Sequence, residues 1–159
     1  MRTVGRKSSR ARAASSPAAP ATTRRARTVR PHATQTGRVR RGEGRGRTLG
    51  FPTANLPPPD APARDGVYAA LVRIEGERRL RPALANLGPS PTFAVDERRL
   101  EVHLLDYDGD LYGTRLHVEL RVRLDGQRRC ASPDALARRI RKLAAAARSI
   151  LDTGSGEGA

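Results

Sequence analysis

Over residues 116–124 the chain alternates without a break. Leu116, Val118, Leu120, Val122 and Leu124 stand on one side, and His117, Glu119, Arg121 and Arg123 on the other. A period of two over nine residues is the pattern of a β-strand with one buried face. A strand cannot bury that face alone; it needs further strands and something packed against them. The chain supplies them. Residues 66–74 carry the β-formers Val67, Tyr68, Leu71, Val72 and Ile74. Residues 80–87 make a weaker strand, and Leu100, Val102 and Leu104 alternate with Glu101 and His103. Gly37-Arg38-Val39 is expected to open the first strand. The last element is a helix. Ser132 is its expected N-cap, Pro133 its first residue, and Asp134 complements the helix dipole. Leu136, Ile140, Leu143, Ala147 and Ile150 form one apolar stripe, while Arg138, Arg139, Arg141 and Lys142 lie off it. Gly154 and Gly156 are expected to end it. Short strands followed by one helix predict an all-β antiparallel barrel with a helix against it. With no Trp and 3% aromatic residues, the core rests on Leu, Val, Ile and Ala.

Charge is unevenly spread. Residues 1–47 hold 14 of the 31 Lys and Arg side chains but only one acid, Glu43. The remaining residues are close to balanced. Residues 1–36 are rich in Arg, Ala, Ser, Thr and Pro and lack apolar periodicity, so they cannot offset the entropy of ordering. They are expected to be a disordered basic arm, with the barrel and helix over residues 37–151 and a flexible tail over 152–159. The arm's composition also fits an organelle transit peptide. Otherwise a cytoplasmic location is expected, because Cys130 is the single cysteine and allows no intrachain disulfide. No apolar run reaches the roughly 20 residues of a membrane span, and no membrane partner is expected.

Three segments carry residues suited to chemistry. In Gly42-Glu43-Gly44-Arg45-Gly46-Arg47 the glycines let backbone N–H groups approach phosphate oxygens, and Arg47 can pair with one. The same composition fits a flexible Arg/Gly linker without regular structure. No Walker A lysine follows. In Pro52-Thr53-Ala54-Asn55, two neutral oxygens two residues apart point the same way in an extended segment, which suits a hard cation; an ordinary turn is the other reading. Glu101 can act as a base towards an alcohol, or be a solvated outer-face carboxylate. Asp106, Asp108 and Asp110 lack the glycine and glutamate of an EF-hand, and Gly109 fits a hairpin turn better.

These segments occur in a familiar order. The chain resembles the riboflavin kinase family, including the kinase module of bacterial bifunctional riboflavin kinase/FAD synthetases. Five blocks carry the resemblance: Gly37-x-Val39; Gly44-x-Gly46-Arg47-x-Leu49-Gly50-Phe51-Pro52-Thr53-Ala54-Asn55; Gly66-Val67-Tyr68; Asn86-x-Gly88-x-x-Pro91-Thr92-Phe93; and Glu101-Val102-His103-Leu104 with Asp110-Leu111-Tyr112-Gly113. The resemblance implies a six-stranded antiparallel Greek-key barrel with a C-terminal α-helix. It implies transfer of the γ-phosphoryl of ATP to the 5′-hydroxyl of riboflavin, giving FMN and ADP. Glu101 would be the base, and Thr53 and Asn55 would hold Mg²⁺. Gly42, Gly44, Gly46 and Arg47 would meet the nucleotide, and Leu104, Asp106 and Tyr112 would line the rest of its site.

The resemblance thins on the flavin side. Where the family has Arg, Lys and Phe after the last strand, this chain has Asp125, Arg128 and Cys130; only Arg128 keeps the chemical character. Leu143 stands where the family usually carries an acid. A non-catalytic flavin- or nucleotide-binding module is therefore an alternative. Nucleic-acid binding through the basic arm is a further one, with salt-dependent, sequence-independent affinity. A monomer is expected. Only about 36 residues precede Gly37, so no FAD synthetase activity is expected.

Overall fold

The structure, a computed structural model, describes residues 30–90 and 95–151. The arm over residues 1–29, Pro91, Thr92 and Phe93 of the fourth block, and the tail with Gly154 and Gly156 lie outside the described residues. The six strands are β1 (Ala33–Arg38), β2 (Ala54–Leu56), β3 (Gly66–Ile74), β4 (Leu80–Ser90), β5 (Val95–Leu104) and β6 (Arg115–Asp125). They form one antiparallel sheet in the order β1-β6-β3-β4-β5-β2. Strands β3, β4 and β5 make a meander, and β6 returns to lie beside β3, which is a Greek key. The Arg40 N–H donates to the Asn55 carbonyl at 2.9 Å, so the chain leaving β1 meets β2 and nearly closes the barrel.

Two apolar clusters share the wall of this barrel. Tyr68, Ala70, Val72, Leu100, Val102, Leu104, Leu116, Val118 and Leu120 fill the interior. Val67, Ala69, Leu71 and Leu84 face outward beneath the helix α2 (Pro133–Leu151), against Ala147 and Leu151. Strand β3 is consequently buried on both faces. The helix begins as expected: Ser132 Oγ accepts the Ala135 N–H at 3.1 Å, and Pro133 opens it.

Three local expectations are corrected. First, order begins ahead of Gly37. Strand β1 starts at Ala33, whose buried side chain joins the interior, and it pairs from Ala33↔Leu120 to Arg38↔Arg115. Its Thr-Gln-Thr segment carries no apolar pattern; the open edge of β6 recruits it through backbone hydrogen bonds. Second, the alternating residues of β6 do not share one face. Ala69 pairs with Val122 but Ala70 with Leu120, so Arg121 is an extra residue on β6; Val67 pairs with Asp125 but Tyr68 with Arg123, so Leu124 is another. These irregularities turn the strand and bring both Leu124 and Asp125 to its outer face. Leu116, Val118 and Leu120 enter the barrel, whereas Val122 and Leu124 pack beneath the helix. Third, the glycine-arginine loop contains one helical turn, α1 (Arg45–Thr48). Gly44 enters it with φ 70°, and the Phe51 N–H closes it on the Gly46 carbonyl at 2.7 Å.

Candidate active site

Sheet register places the key side chains in one row. Asn55 on β2 pairs with Glu101 on β5, and Glu101 pairs with Asn86 on β4. Asn86 pairs with Val67 on β3, which pairs with Asp125 on β6. Directly paired residues project to the same face of a sheet. Leu100 and Val102, either side of Glu101, point into the barrel, so this row lies on its outer surface. From Asn55 to Val67 the row floors a cavity that is also lined by Leu136, Arg139, Ile140 and Leu143 of α2 and by Gly44 and Gly46.

A second cavity adjoins the first. It is lined by Gly42, Gly44, Arg47, Thr53, Asn55, Leu104 and Tyr112, with Arg41 and Tyr107. Gly44, Thr53 and Asn55 line both cavities and form their common wall. Arg41 Cζ lies 4.7 Å from the centre of the Tyr112 ring, whose face is otherwise largely exposed.

The glycines set this wall. A Cβ on Gly42 would fall 2.7 Å from Asn55 Cγ and closer still to its amide nitrogen. A Cβ on Gly46 would strike the Phe51 carbonyl and press on Thr53. Any side chain at either position would displace the two oxygen donors. His103 holds the same turn from the other side: its Nδ1 lies 2.8 Å from the Pro52 carbonyl, and its ring meets Phe51 edge-on.

Burial raises the Glu101 carboxyl above its ordinary value; Arg99 opposes the rise, Glu43 adds to it and Arg45 opposes it. The carboxylate is therefore a stronger base than an exposed one. At the other end of the row burial works against the charge of Asp125. The Gly126 N–H, the Arg139 hydrogen bond and the Arg128 and Arg139 charges outweigh burial and hold this carboxyl below its ordinary value. Arg139 Nη2 donates to Asp125 Oδ2 at 3.1 Å and to the Gly126 carbonyl at 2.8 Å. Gln127 Nε2 donates to Asn86 Oδ1 and to the Leu87 carbonyl, both at 2.9 Å.

Most residues singled out in the sequence thus gather at the two cavities. Glu101, Gly46 and Arg128 line the first, Gly42, Arg47, Leu104 and Tyr112 the second, and Gly44, Thr53 and Asn55 both. Asp106 does not join them. Its carboxylate pairs with Arg148 on the last turns of α2, away from both cavities. Cys130 also lines neither cavity, whereas Leu143 faces the first. Sequence reasoning passed over Asn86 as a site residue, although it stands in a quoted block. It also passed over Gln127 and Arg139; an arginine off the apolar stripe gives no signal of its own.

Thr53 and Asn55 suit a hard cation. They offer neutral oxygens on the common wall, and neither side chain is engaged in a hydrogen bond with another described residue. Among the described residues no three His, Cys, Asp or Glu side chains cluster to form a metal site. No helix among them is long and apolar enough to cross a membrane.

Comparison with known proteins identifies the family. The family model described as Flavokinase: Riboflavin kinase matches residues 29–151. The bifunctional riboflavin kinase/FMN adenylyltransferase of Escherichia coli K12 is 47% identical over 106 residues, covering 65% of this chain and 33% of that protein. The Pseudomonas fluorescens protein of the same description is 44% identical over 117 residues, covering 72% and 37%. The chain therefore spans about a third of the length of these relatives. Riboflavin kinase from Trypanosoma brucei shares the fold, with a TM-score of 0.51 at 20% identity over 79% of this chain and 83% of that one.

Proposed function

Because the chain belongs to the riboflavin kinase family, we propose that it transfers the γ-phosphoryl group of ATP to the 5′-hydroxyl of riboflavin, giving FMN and ADP. The observation that carries this reading is the common wall. Two cavities meet at Gly44, Thr53 and Asn55, and the half-buried Glu101 carboxylate stands on one side of the junction. That is the layout a two-substrate transfer requires, with donor and acceptor entering separately and touching at one line.

In this reading the nucleotide occupies the second cavity. Arg47 pairs with its phosphates, Gly42 and Gly44 let the backbone approach them, and Leu104 and Tyr112 hold its base. Asp106 is left out of this set because it lines neither cavity. Thr53 and Asn55 hold Mg²⁺, which neutralises phosphate charge when bound. The acceptor lies in the first cavity, along Val67, Leu84, Leu136, Ile140 and Leu143. Glu101 accepts the proton of its primary hydroxyl as the oxygen attacks phosphorus, and the raised basicity of the carboxyl suits that step. Phosphoryl transfer rests mainly on positioning and charge neutralisation, and the sheet register supplies the first. The lone Cys130, which permits no intrachain disulfide, fits work in the reducing cytoplasm.

Purified protein incubated with Mg-ATP and riboflavin is expected to produce FMN and ADP in equal amounts, read by chromatography. No FMN, with riboflavin fluorescence and nucleotide binding both unchanged by the protein, sinks the assignment.

A further inference from the structure

We propose that Arg139 determines acceptor specificity by donating hydrogen bonds to the polar, carbonyl-bearing edge of the acceptor's ring. This rests on the kinase reading above and adds a residue to it.

The row of paired residues acts as a ruler. Glu101 and Asp125 are three strand steps apart, through Asn86 and Val67. At a spacing of about 4.8 Å per step, they stand roughly 14 Å apart along the barrel surface. An acceptor whose primary hydroxyl reaches Glu101 must extend along this floor. A five-carbon polyol chain followed by fused rings has the length to reach the Arg139 guanidinium, which lines the cavity and pairs with Asp125. Between the two ends the cavity is apolar, with Val67, Leu84, Ile140 and Leu143 suited to a flat ring. At the far end it turns polar.

The polar end is built around one guanidinium. Arg139 lines the cavity from α2 with its side chain mostly buried. Asp125 and the Gly126 carbonyl hold Nη2, and among the described residues buried Nε has no hydrogen-bond partner. Asp125 holds Nη2 and compensates the charge. A compensated guanidinium favours a neutral acceptor of hydrogen bonds, such as a ring carbonyl, over a second phosphate. A planar fork also matches a planar heterocycle edge better than an ammonium does.

The pair also ties α2 to β6, so the test must separate recognition from docking. R139Q is measured for riboflavin KM, ATP KM and kcat, and for binding of lumichrome, which has the ring but no polyol chain. R139Q is expected to raise the riboflavin KM and the lumichrome Kd about tenfold or more. The ATP KM stays near its original value, and the loss falls on acceptor KM far more than on kcat. R139K keeps the charge without the fork and recovers only part of the loss. A folded R139Q with unchanged lumichrome Kd and riboflavin KM overturns the proposal. If R139Q loses helical circular dichroism, R139K decides: wild-type acceptor affinity there overturns it equally. A wild-type protein that makes no FMN overturns the kinase reading alone, because lumichrome binding still reports on Arg139.

Discussion

The two ends of the Asn55–Asp125 row are held in different ways. At the transfer end Asn55, Glu101 and Asn86 are adjacent in sheet register, and backbone hydrogen bonds fix their spacing. A side chain at Gly42 or Gly46 would strike the residues of this wall. At the acceptor end the spacing depends on side chains that join β6 to α2: Asp125 with Arg139, and Val122 and Leu124 with Ile140 and Leu143. A register-fixed site tolerates no exchange of its residues. A site between a barrel and a helix can trade charges across the gap, provided the pair still closes. Asn55 and Glu101 belong to the first kind, whereas Asp125 and Leu143 belong to the second.

The sharpest break of that comparison is at Glu101. E101Q keeps the shape of the floor and removes the proton acceptor. The expected loss in kcat is about 10²–10⁴-fold, with riboflavin affinity retained by fluorescence titration. Equal loss of binding and turnover would place Glu101 in ground-state recognition instead.

Next in size is G42A. The added methyl meets Asn55 and displaces it, on a wall where a shift of about 1 Å costs on the order of 10²-fold in rate. Loss is expected in kcat and in ATP KM, while lumichrome binding in the first cavity stays close to wild type. At the opposite end L143A removes part of the apolar roof. It is expected to raise the riboflavin KM by roughly tenfold or less, in keeping with partial loss of a leucine contact, and to leave the ATP KM unchanged. Steady-state kinetics with each substrate varied in turn distinguishes the two patterns. Similar profiles for both variants would mean that the two ends are not independent.

The same contrast decides what was legible in the sequence. Strand β3 was readable over its whole length, because its β-branched and aromatic residues are buried on both faces. The helix was readable from its cap and stripe. Strand β1 was not, since Thr34, Gln35 and Thr36 carry no periodicity and their pairing is dictated by β6. Nor was the bulge at Arg121: alternation reports a period, whereas a bulge is set by the partner strand. In the site, Thr53, Asn55 and Glu101 stand in motifs with a local chemical logic. Arg139 has none, because a helical arginine becomes a site residue only through what the tertiary fold sets opposite it. Asp106 is the converse case: the family resemblance implied a place in the nucleotide site, whereas in the fold it lines neither cavity and its carboxylate pairs with Arg148.

The smallest expected effect tests whether the transfer end carries a stability cost. Burial raises the Glu101 carboxyl in the folded protein above its unfolded value. The folded state therefore holds this proton more tightly, and stability falls as pH rises from the ordinary carboxylate value through the raised one. Asp125 has the opposite sign. Its folded value is depressed, so its contribution is present above the unfolded value and lost as pH falls through the folded one. E101Q is accordingly expected to raise Tm at neutral pH, with the gain shrinking towards zero once acid protonates Glu101 in both states. D125N is expected to lower Tm at neutral pH, with its deficit also closing in acid. Thermal melts of the three proteins across pH 3–8 separate the cases by sign. A Tm for E101Q below wild type at neutral pH would show that the ionised carboxylate stabilises its surroundings, and the two ends of the row would then differ only in their chemistry.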